Sequence, residues 1–139
     1  MIQSKYILDI LDLTFDEFAS EDLLRQQIPF LTEKEIEHTG VGLYVYFLGD
    51  KEIENFKIPT DKALNFDIDG NPTEILNGVE VKNEKLNVLA DASVHLTNGL
   101  IDCVEIWNKN GEEYPSEGLT SYELTQSWLD NSKRRTIKR

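Results

Sequence analysis

The hydrophobic pattern changes period near residue 40. Before that point the chain reads as helical or irregular. Ser20 is placed to cap a helix over residues 21–28, and the acids Glu21 and Asp22 suit its positive N-terminal end. Pro29 stops that helix, because proline lacks an amide hydrogen and clashes with the preceding turn. Thr32 and Glu35 have the spacing of a capping box for a short turn reaching His38, and Gly40 closes the region.

From Val41 the period is two. Val41, Leu43, Val45 and Phe47 alternate with Gly42, Tyr44, Tyr46 and Leu48, which predicts a strand apolar on both faces, central or covered. Gly40 and Gly42 open this strand rather than a helix, which predicts a close backbone approach there and no phosphate loop. Gly49-Asp50 reads as a turn, and Ile53, Phe56 and Ile58 as a second, less regular strand. Residues 59–74 are rich in turn formers, and Asn77-Gly78 is a turn or a kink before residues 79–81.

The clearest element is a hairpin. Val88, Ala90, Ala92, Val94 and Leu96 alternate with Leu89, Asp91, Ser93, His95 and Thr97. Asn98-Gly99 follows, the pair that best tolerates the positive φ angles of a type I′ turn. On the return strand Ile101, Cys103, Glu105 and Trp107 take one face, and Leu100, Asp102, Val104 and Ile106 the other. Asn110-Gly111 marks a further turn, and Tyr114 before Pro115 is extended. Tyr122, Leu124 and Trp128 form a last strand or short helix. Helices followed by an antiparallel meander predict an α+β fold, with N-terminal helices packed on an antiparallel β-meander sheet. No repeat, low-complexity segment or linker divides the chain, so residues 1–139 read as a single α+β domain, large enough to fold without metal or disulfide.

Charge adds a partner class. The formal net charge is −12, but five of the 14 basic residues lie in residues 133–139 and all 26 acids lie before them. The first 132 residues therefore hold nine bases against 26 acids, a formal −17. Such a body repels nucleic acid and anionic membrane and attracts basic partners. Residues 132–139 read as a basic, frayed tail folded back on that body. The acid clusters Asp16, Glu17, Glu21 and Asp22; Glu33, Glu35 and Glu37; and Glu112, Glu113 and Glu117 are candidate contact patches for a basic protein, against the plainer reading of solvated surface charge. A single cysteine, no signal-peptide pattern at Met1-Ile2-Gln3-Ser4-Lys5 and no apolar run near the ~20 residues of a membrane span predict a soluble, cytoplasmic protein.

Candidate chemistry is sparse. His38, His95 and Cys103 are the whole supply of soft ligands, without zinc-site spacing, and no cofactor is expected. The run Asp67-Ile68-Asp69-Gly70-Asn71 resembles the start of a calcium loop, but its glycine is fourth rather than sixth and Gly78 stands where the closing glutamate belongs. Asp91, Ser93 and His95 share a strand face, and Cys103 falls almost across from His95 or Leu96. A nucleophile, base and orienting group can be drawn from them, yet no supporting signature accompanies them, and a solvated strand face has the same composition. Asp102 and Glu105 point to opposite faces and form no acid–base pair. Glu105, among Ile101, Cys103 and Trp107, is a partly buried carboxylate that needs a hydrogen-bond partner, and it is the first residue to inspect for function.

Three features carry a resemblance. Thr39-Gly40-Val41-Gly42 steps into the aromatic strand Leu43-Tyr44-Val45-Tyr46-Phe47, the hairpin at residues 94–106 has a polar-Gly turn followed by an acidic residue, and Tyr114-Pro115 lies nearby. Together, over residues 20–124, they resemble small acidic bacterial immunity-like proteins of toxin/immunity systems of the contact-dependent inhibition type, though Tyr114 stands where those proteins place a Trp. The resemblance implies a non-catalytic, protein-binding role: stoichiometric neutralisation of a cognate basic toxin. It carries over no catalytic residue. The alternative is a small α+β ligand-binding domain or enzyme, with Tyr44, Tyr46 and Trp107 lining a pocket instead of filling a core. Homodimerisation through an edge strand stays open.

Overall fold

A computed structural model describes residues 1–111, 113–115 and 119–139. Helix α1 (Lys5–Thr14) starts at Ser4, whose Oγ accepts the Ile7 amide, and it buries Tyr6, Ile7, Ile10, Leu11 and Leu13. Helix α2 (Glu21–Gln27) stops where expected, with Pro29 in a 3-10 turn over Ile28–Phe30. Ser20 precedes it but makes no side-chain capping bond.

The capping-box turn expected at residues 32–38 is instead strand β1 (Leu31–His38). It forms a hairpin with β2 (Gly42–Gly49), with Gly40 at positive φ between them. Pairing with β2 satisfies the backbone groups of this segment that face it, which outweighs the local capping signal. The strand expected through Ile53, Phe56 and Ile58 is a 3-10 helix over Lys51–Phe56, which needs only Ile53 in the core.

The remaining strands are β3 (Asn65–Phe66), β4 (Pro72–Asn83), β5 (Val88–Thr97), β6 (Leu100–Asn108), β7 (Glu123–Gln126) and β8 (Thr136–Lys138). They join one antiparallel sheet in the order β1-β2-β6-β5-β4-β7-β8, with β3 on β4. The α+β architecture is as expected. Asn98 and Gly99 carry φ of 54° and 77°, the signature of the predicted I′ turn. Asn77-Gly78 resolves as a kink: the β4–β5 register shifts between Leu76 and Val79, and Gly78 has φ of 122°.

Both helices pack on one face of the sheet. Ile10, Leu11, Leu13 and Leu24 meet Val45, Val79, Val81, Ala90, Ala92, Val94, Val104, Ile106 and Leu124 in one apolar core. Strand β2 lies inside the sheet but is covered on one face only. Leu43, Val45 and Phe47 are buried, whereas Tyr44 and Tyr46 stand half-buried on the other. At Gly42 a Cβ would collide with the Ile106 carbonyl, so the close backbone approach expected there is real. Among the described residues no helix is long and apolar enough to cross a membrane.

The basic tail folds back on the acidic body, but it is not frayed. β8 pairs with β7, and Tyr122 and Arg139 exchange backbone hydrogen bonds. Arg135 reaches Asp16 at 2.7 Å and Asp12 at 2.9 Å. Arg139 reaches Asp9 at 3.0 Å, and the Tyr122 hydroxyl donates to the same carboxylate at 2.7 Å. An edge strand that also pairs carboxylates near the core has strong reasons to stay folded.

These contacts give acid sensitivity a sign. Burial pushes the Asp9 carboxyl up, but hydrogen bonds from Arg139 and Tyr122 outweigh it and hold the group below the usual carboxylate range. Asp16 behaves alike, with Arg135 and Gln126 as the opposing donors. A folded-state value below the unfolded one gives stability that is full above about pH 4 and is lost as pH falls through the folded values. Unfolding followed by circular dichroism should therefore show stability declining below about pH 4, with a shallower decline in Asp16→Asn.

Candidate functional site

The face of the sheet opposite the helices collects the chain's polar and aromatic strand residues. Antiparallel partners share a face, and side chains alternate with period two. The register therefore lays out three rows across the strands: Glu37, Tyr44, Glu105 and Ser93; Glu35, Tyr46, Cys103 and His95; and Trp107, Asp91 and Glu80. Among the described residues no helix lies over them.

Glu105 is the hub. Its Oε2 accepts from the Tyr44 hydroxyl at 2.9 Å, and its Oε1 lies 2.9 Å from His95 Nε2. The carboxylate is one-third exposed, so it has the partners a half-buried acid needs and still faces solvent. The hydrogen bond to Glu105, followed by burial, raises the Tyr44 hydroxyl pKa. Tyr44 stacks on Tyr46 with centroids 6.0 Å apart and presents an edge contact to His95 at 6.4 Å. Trp107 is 53% exposed beside them. A cleft of about 360 Å³ opens between Trp107, Glu105, Asp91, Ser93, Asn77 and Gly78.

The catalytic arrangement drawn from the sequence is not assembled. His95 turns to Glu105, while Ser93 Oγ donates to Asn77 Oδ1 at 2.6 Å. Asp91 pairs with Lys109 at 3.2 Å, and Lys109 also reaches Glu80 at 3.2 Å. Cys103 does lie opposite His95, but its thiol is pushed up to about 12 by burial, aided by the charges of Asp102 and Glu105. At neutral pH it is a thiol, and a thiol is a poor nucleophile. What the face offers chemically is carboxylate acceptors beside aromatic rings, a combination that holds ammonium and guanidinium groups.

The expected contact residues divide. Asp16 and Glu21 are taken up by Arg25, at 2.7 Å and 3.1 Å, and Asp16 also by Arg135. Glu17 and Asp22 are exposed next to that network. Glu33 accepts from the Ser4 amide at 3.2 Å. Glu35 and Glu37 are exposed and belong to the uncovered face, where Tyr46 donates to Glu37 at 3.4 Å. Glu113 is exposed, and Glu112 and Glu117 lie outside the described residues. Tyr44, Tyr46 and Trp107, read as core or pocket lining, belong to this open face instead. Glu80 and Asp91 join them, and it is the strand register, Glu80 opposite Asp91 and Asp91 opposite Trp107, that groups them with this face.

Among the described residues no three His, Cys, Asp or Glu side chains are grouped to hold a metal. Asp67 accepts from the amides of Asp69 and Asn71 in its own loop, so the calcium-like run is a self-satisfied turn. No known protein family, curated protein or solved structure is significantly similar to the chain.

Proposed function

We propose that this protein is a non-catalytic binder that neutralises a basic protein partner by covering it stoichiometrically, as an immunity protein covers its cognate toxin. The observation that carries this reading is the uncovered sheet face. It sets Tyr44, Tyr46 and Trp107 among Glu35, Glu37, Glu105 and Asp91. Large, partly exposed aromatics at the centre and acids around them have the anatomy of a protein interface. The tail's Arg135 and Arg139 are bound to Asp9, Asp12 and Asp16, on the side away from this face. The face therefore keeps its negative potential, which speeds encounter with a basic protein and makes it salt-sensitive.

The test is capture by the tagged full chain, washed at low and at high salt and read by mass spectrometry. One basic protein retained in equal amount and released by salt supports the reading. Retention of no basic protein counts against it.

A second reading, a small ligand or catalytic site, rests on the Tyr44–Glu105–His95 chain and the adjoining cleft. A ligand that shifts the His95 and Tyr44 resonances, with no protein captured, would favour it.

A further inference from the structure

We infer that the basic partner adds an extended strand to the free edge of β1, over Glu35 to His38; this rests on the protein-binding reading above. The backbone geometry selects these residues. The Thr39 amide donates to the Gly42 carbonyl at 3.0 Å. Hydrogen-bonded and non-bonded pairs alternate along an antiparallel ladder, so Glu37–Tyr44 and Glu35–Tyr46 are the bonded pairs. The amides and carbonyls of Ile36 and His38 therefore point away from β2. β1 ends the sheet, and no described strand pairs on that side. Residues 34–38 are all exposed, Ile36 at 52%.

The other half of the strand is occupied. The N-terminal ammonium donates to Thr32 at 3.2 Å, the Ser4 amide donates to Glu33 at 3.2 Å, and the register shifts between Glu33 and Glu35. The open half is short, as a managed edge should be.

Charge decides what pairs there. A second copy of this chain is disfavoured in both two-fold antiparallel registers that use the Ile36 amide. Ile36 opposite its own copy sets Glu35 against Glu37. Ile36 opposite His38 sets Glu37 against itself. Like charges directly opposite each other destabilise a sheet. A strand with lysine or arginine at alternate positions reverses that term at both glutamates. Its basic side chains then lie on the same face as Tyr44, Tyr46 and Glu105, so edge and face form one continuous surface. Backbone hydrogen bonds supply the pairing, and the alternating charges supply the selectivity.

The probe is a fluorescein-labelled peptide of alternating lysine and valine, titrated by anisotropy into the full chain at low salt. Amide exchange at Ile36 and His38 is followed by NMR. The wild type is expected to bind and to slow exchange at those two amides. Ile36→Pro removes an outward amide and no β1–β2 hydrogen bond, and should weaken binding about tenfold. Glu35→Lys with Glu37→Lys should weaken it at least as much, which keeps the test decisive if circular dichroism shows the proline variant misfolded. A peptide of alternating glutamate and valine should not bind. No binding by the wild type, or equal binding by a folded Ile36→Pro, overturns the edge assignment. Either result leaves the protein-binding reading standing if the salt-graded capture retains a basic partner, and failure of that capture overturns the reading itself.

Discussion

Gln27→Ala is expected to destabilise the protein by about 3 kcal/mol. Gln27 is fully buried at the end of α2. Its Nε2 donates to the carbonyls of Phe56 at 2.9 Å and Gly99 at 3.0 Å, and its Oε1 accepts from the Ile101 amide at 2.9 Å. One side chain thus ties α2 to the 3-10 helix and to the β5–β6 turn. Gly99 keeps the Ile58 amide as a second partner, but the Ile101 amide and the Phe56 carbonyl lose theirs. An orphaned buried group costs about 1–3 kcal/mol, and the part-buried Phe56 carbonyl adds less than the buried Ile101 amide. Urea unfolding should show a lower midpoint with an unchanged slope. Gln27→Glu should also destabilise, because a carboxylate cannot donate to two carbonyls. A loss below about 1 kcal/mol would mean that the surrounding backbone finds other partners.

Trp107→Ala is expected to weaken partner binding by about 2 kcal/mol, roughly thirtyfold, with little change in folding stability. The ring is more than half exposed and contributes little to the core. It borders the cleft beside Glu105 and Asp91, where it would cover a basic side chain and keep water from the ion pair. Glu105→Gln keeps the hub's shape and removes its charge. It should weaken binding less than the Trp change and reduce the salt dependence. Calorimetric titration of the captured partner measures both. Unchanged affinity in Trp107→Ala would place the partner elsewhere on the molecule.

How much of this was legible in the sequence depended on whether a local signal and a tertiary one agreed. At residues 88–97 and 103–107 they agreed: alternation gave the faces and Asn98-Gly99 gave the turn. Between them the register shifts at His95/Leu96, which alternation does not mark; the shift sets Cys103 opposite His95, turns Ile101 into the core instead of onto the face of Glu105, and leaves Asp102 exposed beside Thr97. Glu105 was legible for the same reason, as a carboxylate on a face with Trp107. At residues 31–38 the signals conflicted. Thr32 and Glu35 spell a capping box, and only β2 across the hairpin makes the segment a strand. The missed strand hid the free edge. The tail hid too, because nothing local marks Arg135 and Arg139 as partners of Asp12, Asp16 and Asp9 more than a hundred residues away. Tyr44 and Tyr46 looked like core because their strand is apolar at every position. Their exposure follows from the helices covering only one side of the sheet.

The uncovered sheet face, with the edge of β1, is the surface proposed to bind a basic protein. Amide hydrogen exchange of the full chain, alone and with the captured partner, tests it most directly. Exchange is expected to slow along β1, β2 and β6 around Glu37, Tyr44 and Trp107, with α1 and α2 unchanged. Protection confined to the helical face would contradict it.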